Sequence, residues 1–314
     1  MRQIVSIVLL AFGMISCVET ASKNVKMDTE RSVVEYINFQ GSSRGVSSTL
    51  AAEIIFPGTK NSSFPLIITQ HGSSRDGGSF HSGKGRTDEM SMRLMTQAPK
   101  RGFAVASIDA FYNTSIKPSD KKKFPKAAEY AVSLKKILQK DPRIDASQIF
   151  YVGFSYGAAQ VLASYSSDFD FGGEQWRAVS ALEPGCNVVP EPTKRNFPAI
   201  IFKGTKSHYY PSACTWYTQE LQKAGNEIEL VMVNGANHFF SSDGRITNGI
   251  AFNGCSENPV IVSTNGSMKH ADGQITDRTK VLAECFTKKA GGGLNRRYLD
   301  NVLDQTLSFF EKNI

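Results

Sequence analysis

The chain has 314 residues, 40% of them hydrophobic and 21% charged, a balance that suits an ordinary soluble globular protein and excludes low-complexity disorder, collagen and coiled coil. Its 36 lysines and arginines against 29 acids leave a net charge of +7, spread along the chain apart from one dense run at Lys121–Lys123. No arginine-rich or aromatic-interleaved stretch marks a nucleic-acid groove, so the mild basicity is assigned to solubility or to loose contact with anionic surfaces.

Arg2 and the apolar residues 4–15 have the form of an export signal, too short to cross a bilayer comfortably. The segment ends at Met14-Ile15-Ser16-Cys17, which resembles a bacterial lipobox, where a small residue precedes the cysteine that becomes the lipidated N-terminus. Residues 1–17 are therefore read as a signal peptide of the lipoprotein type, 18–30 as a polar tether, and 31–314 as a single domain. The expectation is an exported protein whose membrane contact is a lipid anchor on Cys17, with plain cleavage to a periplasmic or secreted form as the alternative. No later segment reaches the ~20 apolar residues of a transmembrane helix.

Beyond the tether, β-branched and aromatic runs at 33–39, 50–56, 66–70, 104–109, 149–153, 178–182, 199–203 and 228–233 read as strands. Helical patterns lie between and after them at 89–101, 126–140, 157–164, 213–224 and 296–312. Several strand runs are apolar throughout, as in strands buried on both faces of a parallel sheet. The second helix stops at Asp141-Pro142. Residues 243–293 break the rhythm, with Gly, Asn and Ser scattered among short apolar pieces. They read as an excursion before the final helix, too poor in core residues to be a domain.

Five cysteines are present: Cys17, Cys186, Cys214, Cys255 and Cys285. With Cys17 lipidated or removed, four remain, enough for two disulfides in an oxidising compartment. No two are close enough in sequence for a zinc site. Three pairings are open; the sequential one, Cys186 with Cys214 and Cys255 with Cys285, is the expectation.

Gly153-Phe154-Ser155-Tyr156-Gly157 follows a predicted buried strand directly and precedes a predicted helix. A nucleophile elbow needs this context: a strained turn exposes the serine hydroxyl, small neighbours let backbones approach, and the helix N-terminus favours negative charge. Together with Gln70-His71-Gly72-Ser73, Glu183-Pro184-Gly185-Cys186 and Asn234-Gly235-Ala236-Asn237-His238-Phe239, the stretch 141–160 resembles the dienelactone hydrolase family, in its secreted, serine-containing branch. The likeness runs from about residue 51 to the last helix. It implies an α/β-hydrolase fold, a mostly parallel twisted sheet of about eight strands with helices on both faces. Ser155 stands where the founding members have cysteine, which implies esterase chemistry on a small-molecule ester. No metal, organic cofactor or nucleic-acid partner is implied.

His238 follows the last predicted strand and lies C-terminal to Ser155, as the fold's order of nucleophile, acid and base requires. The oxyanion hole is assigned to the backbone N–H groups of Tyr156, directly after the nucleophile, and of Ser73, in the loop after the third strand. The acid departs from the family. The stretch 204–211 holds no carboxylate, and Ser207 stands about where an aspartate is expected. Glu183, at the end of the sixth strand, is the replacement candidate, because strand ends converge at the carboxyl edge of such a sheet. Asp243 lies beyond the histidine, and Asp168 and Asp170 precede the sixth strand; all three are set aside. His71 is read as structural, His81 and His270 as solvated, and His208 as part of an exposed loop, with a wall of the substrate pocket or a second polar contact as its alternative. The competing expectation is a non-catalytic binding lipoprotein on a decayed hydrolase scaffold, motivated by the missing aspartate.

Overall fold

Strand β1 (Val33–Ser43) and strand β2 (Val46–Phe56) form an antiparallel hairpin. Arg44 and Gly45 close it at φ 52° and 75°, the left-handed pair that a two-residue hairpin turn demands. Six more strands join the same sheet: β3 (Phe64–Gln70), β4 (Ala104–Asp109), β5 (Ile144–Phe154), β6 (Val179–Leu182), β7 (Ala199–Gly204) and β8 (Ile228–Val233). Their order is β1-β2-β4-β3-β5-β6-β7-β8. Every pair from β4 to β8 is parallel, while β2 runs antiparallel to both its neighbours. The computed structural model describes residues 32–59, 63–238, 255, 257–285 and 297–314. The expected signal peptide, the tether, Cys17 and Asp243 lie outside the described residues.

The helices are α1 (Glu89–Gln97), α2 (Ala127–Leu138), α3 (Tyr156–Ala163), α4 (Pro211–Lys223), α5 (Arg278–Glu284) and α6 (Arg297–Glu311). Alternation along the central strands sorts side chains onto two faces. Leu66 and Ile68 of β3 join the core capped by Leu134 of α2, Val161 of α3 and Tyr217 of α4. Ile67, between them, joins the opposite core with Leu94 of α1 and Leu303 and Phe310 of α6. All three β3 residues are fully buried, which explains why the strand reads as an unbroken apolar run; each such side chain contributes about 1.5–3 kcal/mol by leaving water. In α6 the buried residues Leu299, Val302, Leu303, Thr306, Leu307 and Phe310 recur at three- and four-residue spacing, one stripe facing the sheet.

The excursion differs from its expected irregularity. Its described part contributes Val260–Val262, Met268–His270 and Ile275–Thr276 to a second, four-stranded sheet whose remaining strand is Val188–Pro190 from the segment after β6. Strands of two or three residues carry too little alternation to stand out in sequence. Disulfides join Cys186 to Cys214 and Cys255 to Cys285, the first tying the turn after β6 to α4 and the second bracketing the small sheet. Among the described residues no helix is long and apolar enough to cross a membrane.

Candidate active site

β5 ends and α3 begins at Ser155, whose backbone sits at φ 53° and ψ −107°. This is a strained conformation for a residue with a side chain, and it lifts the hydroxyl clear of both elements. The flanking glycines make the turn possible. A Cβ on Gly153 would lie 2.3 Å from the carbonyl carbon of Gly157, and one on Gly157 would lie 2.2 Å from the carbonyl oxygen of Gln70 in β3. Only bare backbone fits there.

The turn after β8 carries His238 to the same place. Its Nε2 is 2.9 Å from Ser155 Oγ, and its Nδ1 is 3.1 Å from Glu183 Oε2. The ring is 4% exposed and packs between Phe154 and Tyr209, at centroid distances of 5.4 and 4.8 Å. Burial lowers its proton affinity, an effect that Glu183 opposes and the ammonium groups of Lys203 and Lys121 reinforce.

Glu183 follows β6 at φ 57° and is completely buried. Four donors converge on its carboxylate. Oε2 accepts from Lys203 Nζ at 2.8 Å, Ser207 Oγ at 2.9 Å and His238 Nδ1, while Oε1 accepts from the Gly204 N–H. Burial alone would push this carboxyl up, but the Lys203 ammonium and the His238 ring hold it below the usual carboxylate range. Ser207, in the position where an aspartate was expected, thus donates to this carboxylate.

Lys203 escaped the sequence reading. It is fully buried, and its Nζ also donates to Pro184 O at 3.0 Å and Ser207 Oγ at 3.2 Å. The available signal was a lysine within the otherwise apolar run Ala199-Ile200-Ile201-Phe202 leading to Gly204. Lysines at strand ends ordinarily reach solvent; this one cannot.

The loop after β3 is pinned by Asp88, which accepts from Gly72 N–H at 2.6 Å and from Ser91 N–H at 2.9 Å, so that it caps α1 as well. Burial pushes its carboxyl up to about 7 against those two bonds. Gly72 N–H is therefore occupied, and Ser73 is the next residue; both Ser73 and Tyr156 line the cavity of about 460 Å³ that holds Ser155 and His238. His71 beneath them is buried, accepting from Ala110 N–H at 3.0 Å through Nε2 and facing Gly72 O at 2.6 Å through Nδ1. Burial lowers it to about 4, so the ring is neutral.

Two histidines depart from their expected settings. His208 is 9% exposed, with its ring edge-on to His238 at 4.8 Å; burial and the neighbouring His238 and Lys203 lower it to about 3. Its loop is covered by packing against Tyr209 and His238, which no local pattern announces. His270 is buried in the small sheet, its Nδ1 2.9 Å from Asn258 O. His81 is exposed as expected, with its Nδ1 2.7 Å from the buried Glu53. Asp168 and Asp170 bond within their own loop, to Ser166 and Gly172 N–H.

No family model and no curated protein matches the chain. Solved structures do. A structure from Klebsiella pneumoniae assigned as a dienelactone hydrolase superposes with a TM-score of 0.50 at 16% identity, covering 66% of this chain and 88% of its own. A structure from Bacteroides ovatus assigned as a dipeptidyl aminopeptidase IV gives 0.50 at 12% identity over 68% of this chain, which spans only 34% of that longer protein. Esterase 2 of Thermogutta terrifontis gives 0.49 at 18% identity, covering 67% of this chain and 86% of its own. The fold is that of the α/β-hydrolases. In an α/β-hydrolase the carboxyl edge of the parallel strands is where loops converge, and here the ends of β5, β6 and β7 and the turn after β8 bring Ser155, Glu183, Lys203 and His238 into one hydrogen-bonded cluster.

Proposed function

We propose that the protein is an exported serine hydrolase that cleaves carboxylic esters through an acyl-enzyme on Ser155, with His238 as base and Glu183 as the acid that orients it. The strongest support is the unbroken relay from Ser155 Oγ to His238 Nε2 at 2.9 Å and from His238 Nδ1 to Glu183 Oε2 at 3.1 Å, seated at a strained turn beside a cavity. Ser155 Oγ attacks the ester carbonyl while its proton passes to Nε2, and Glu183 stabilises the imidazolium that forms. The oxyanion is held by the N–H groups of Ser73 and Tyr156, and loss of one such donor typically costs 10²–10³ in rate. The imidazolium returns its proton to the departing alcohol. Water, deprotonated by the same ring, then releases the acid and restores the serine.

The two disulfides fit an oxidising compartment outside the cytoplasm. In this proposal residues 31–314 act as one domain, and Cys17 carries the lipid that keeps it at a membrane. A panel of p-nitrophenyl esters of increasing acyl length, assayed with wild type and Ser155→Ala, tests the proposal. Hydrolysis that disappears in the variant supports it. Equal, background-level rates in two folded proteins refute it and favour the non-catalytic binding protein.

A further inference from the structure

An acyl-transfer relay requires a nucleophile, a base and an acid; Lys203 is a buried charge beyond that set. Its three ammonium protons meet three acceptors, Glu183 Oε2, Pro184 O and Ser207 Oγ, and Glu183 is its one carboxylate partner among the described residues. Glu183 Oε2 is shared between Lys203 Nζ at 2.8 Å and His238 Nδ1 at 3.1 Å, so one oxygen serves a titratable ring and an ammonium whose proton affinity burial lowers and Glu183 raises. The groups that face His238 come from every neighbouring element: Glu183 after β6, Lys203 in β7, His208 and Tyr209 before α4, Lys121 from the turn before α2, and Ser155 at the elbow. Tyr209 and His208 face it as neutral rings, the latter held neutral by burial.

The charge count has a chemical consequence. In a relay without the lysine, a buried carboxylate and an imidazolium sum to zero. Here Lys203 and Glu183 already cancel, so the hydrogen-bonded relay is neutral with a neutral imidazole and becomes +1 when His238 takes the serine proton, and the Lys121 ammonium nearby opposes that added charge further. The negative oxyanion formed in that step restores neutrality. Protonation of His238 from solvent, with no oxyanion present, has no such compensation. The cluster therefore discriminates between the productive proton and a bulk one.

We propose that Lys203 is a positioning residue that keeps Glu183 ionised and in place while holding down the affinity of resting His238 for bulk protons, so that the base remains free, and the enzyme active, in mildly acidic surroundings. This rests on the catalytic assignment proposed above. Lys203 neither lines the cavity nor bonds to the nucleophile, though its Nζ stands over the ring of the lining residue Tyr209 at 5.7 Å, and it acts through Glu183 and its field.

The test is the pH dependence of kcat/KM for p-nitrophenyl acetate in wild type, Lys203→Met and Lys203→Arg. Removing one cation from a buried site raises the affinity of a neighbouring imidazole for protons, so the acid limb is expected to move upward by about 1–2 pH units in Lys203→Met, with the charge-retaining arginine staying close to wild type. A Lys203→Met enzyme that is slower, yet has its acid limb where the wild type has it, overturns the proposal, because a merely structural lysine gives that result. Should Lys203→Met fail to fold, a nitrogen-15 NMR titration of His238 in wild type and Lys203→Gln decides. A His238 that holds its proton to clearly higher pH in the variant than in wild type supports the proposal; unchanged titration refutes it, because burial alone then accounts for the lowered affinity. The titration also separates the two proposals, since it reads the proton affinity of His238 even if no serine-dependent hydrolysis is found.

Discussion

Replacing Glu183 by glutamine tests the site at its least conventional residue. The carboxylate accepts from Lys203, Ser207, His238 and the Gly204 N–H, and an amide has one acceptor oxygen and two donor hydrogens. With the amide nitrogen in the Oε2 seat, three donors face a donor. His238 can then be satisfied only by moving its proton to Nε2, which removes the lone pair that accepts the Ser155 proton. With the amide oxygen in that seat, the NH₂ confronts Gly204 N–H. In either orientation Lys203 loses its counter-charge inside the protein, a change that typically costs about 3–5 kcal/mol before the ammonium relieves it by deprotonating. A wrong-tautomer acid variant of this kind has cost about 10⁴ in kcat in a serine protease. We expect kcat for p-nitrophenyl acetate to fall about 10³–10⁴-fold, a barrier increase of roughly 4–5.5 kcal/mol. KM should stay within a few-fold, because Glu183 does not line the cavity, and the melting temperature should fall as well. A folded Glu183→Gln enzyme within tenfold of wild type would refute the assignment of Glu183 as the acid.

Further outcomes follow from other contacts. Ser207 Oγ is 2.9 Å from Glu183 Oε2, so adding Ser207→Asp to Glu183→Gln should restore at least tenfold of the lost activity; no gain over the single variant counts against Ser207 occupying the acid's alternative seat. In Gly157→Ala the new methyl meets Gln70 O at 2.2 Å, and chemical denaturation should show a loss of about 2 kcal/mol or more, beyond the typical cost of a point substitution. Replacing Cys186 and Cys214 by serine opens a loop of 28 residues, and denaturation should show a loss of about 3–4 kcal/mol on the chain-entropy model. His71 is neutral and buried with its affinity lowered to about 4, so the unfolded chain takes that proton first. Its contribution is therefore present above pH ~6.5 and lost as pH falls towards about 4, a change of about 3 kcal/mol. Across that window the melting temperature of wild type should fall more steeply than that of His71→Gln.

The strands of the main sheet were legible because both their faces are buried, which makes them continuous apolar runs. Their bounds were less so. β5 starts at Ile144, not at 149, since Asp145 to Gln148 form a polar, partly exposed extension; β1 runs on to Ser43 because the hairpin turn, not hydrophobicity, ends it. The small sheet was invisible, as strands such as Val260–Val262 pair only after tertiary contact brings Val188–Pro190 alongside. Ser155 and His238 were marked by local patterns that backbone geometry imposes, whereas Glu183 stood out by occurring where a carboxylate was otherwise missing. Lys203 had only its place in an apolar run, and His208 had no mark at all. Their burial comes from the packing of β7 and its following loop against the turns after β6 and β8, a property of the assembled fold.

The account stands most directly on Ser155 being the activated nucleophile. Wild-type protein treated with a fluorophosphonate probe and mapped by mass spectrometry should carry one adduct, on the peptide containing Ser155, and His238→Ala should slow its formation by orders of magnitude. Absence of the adduct from folded wild-type protein, or an adduct on another residue that forms equally fast without His238, would contradict it.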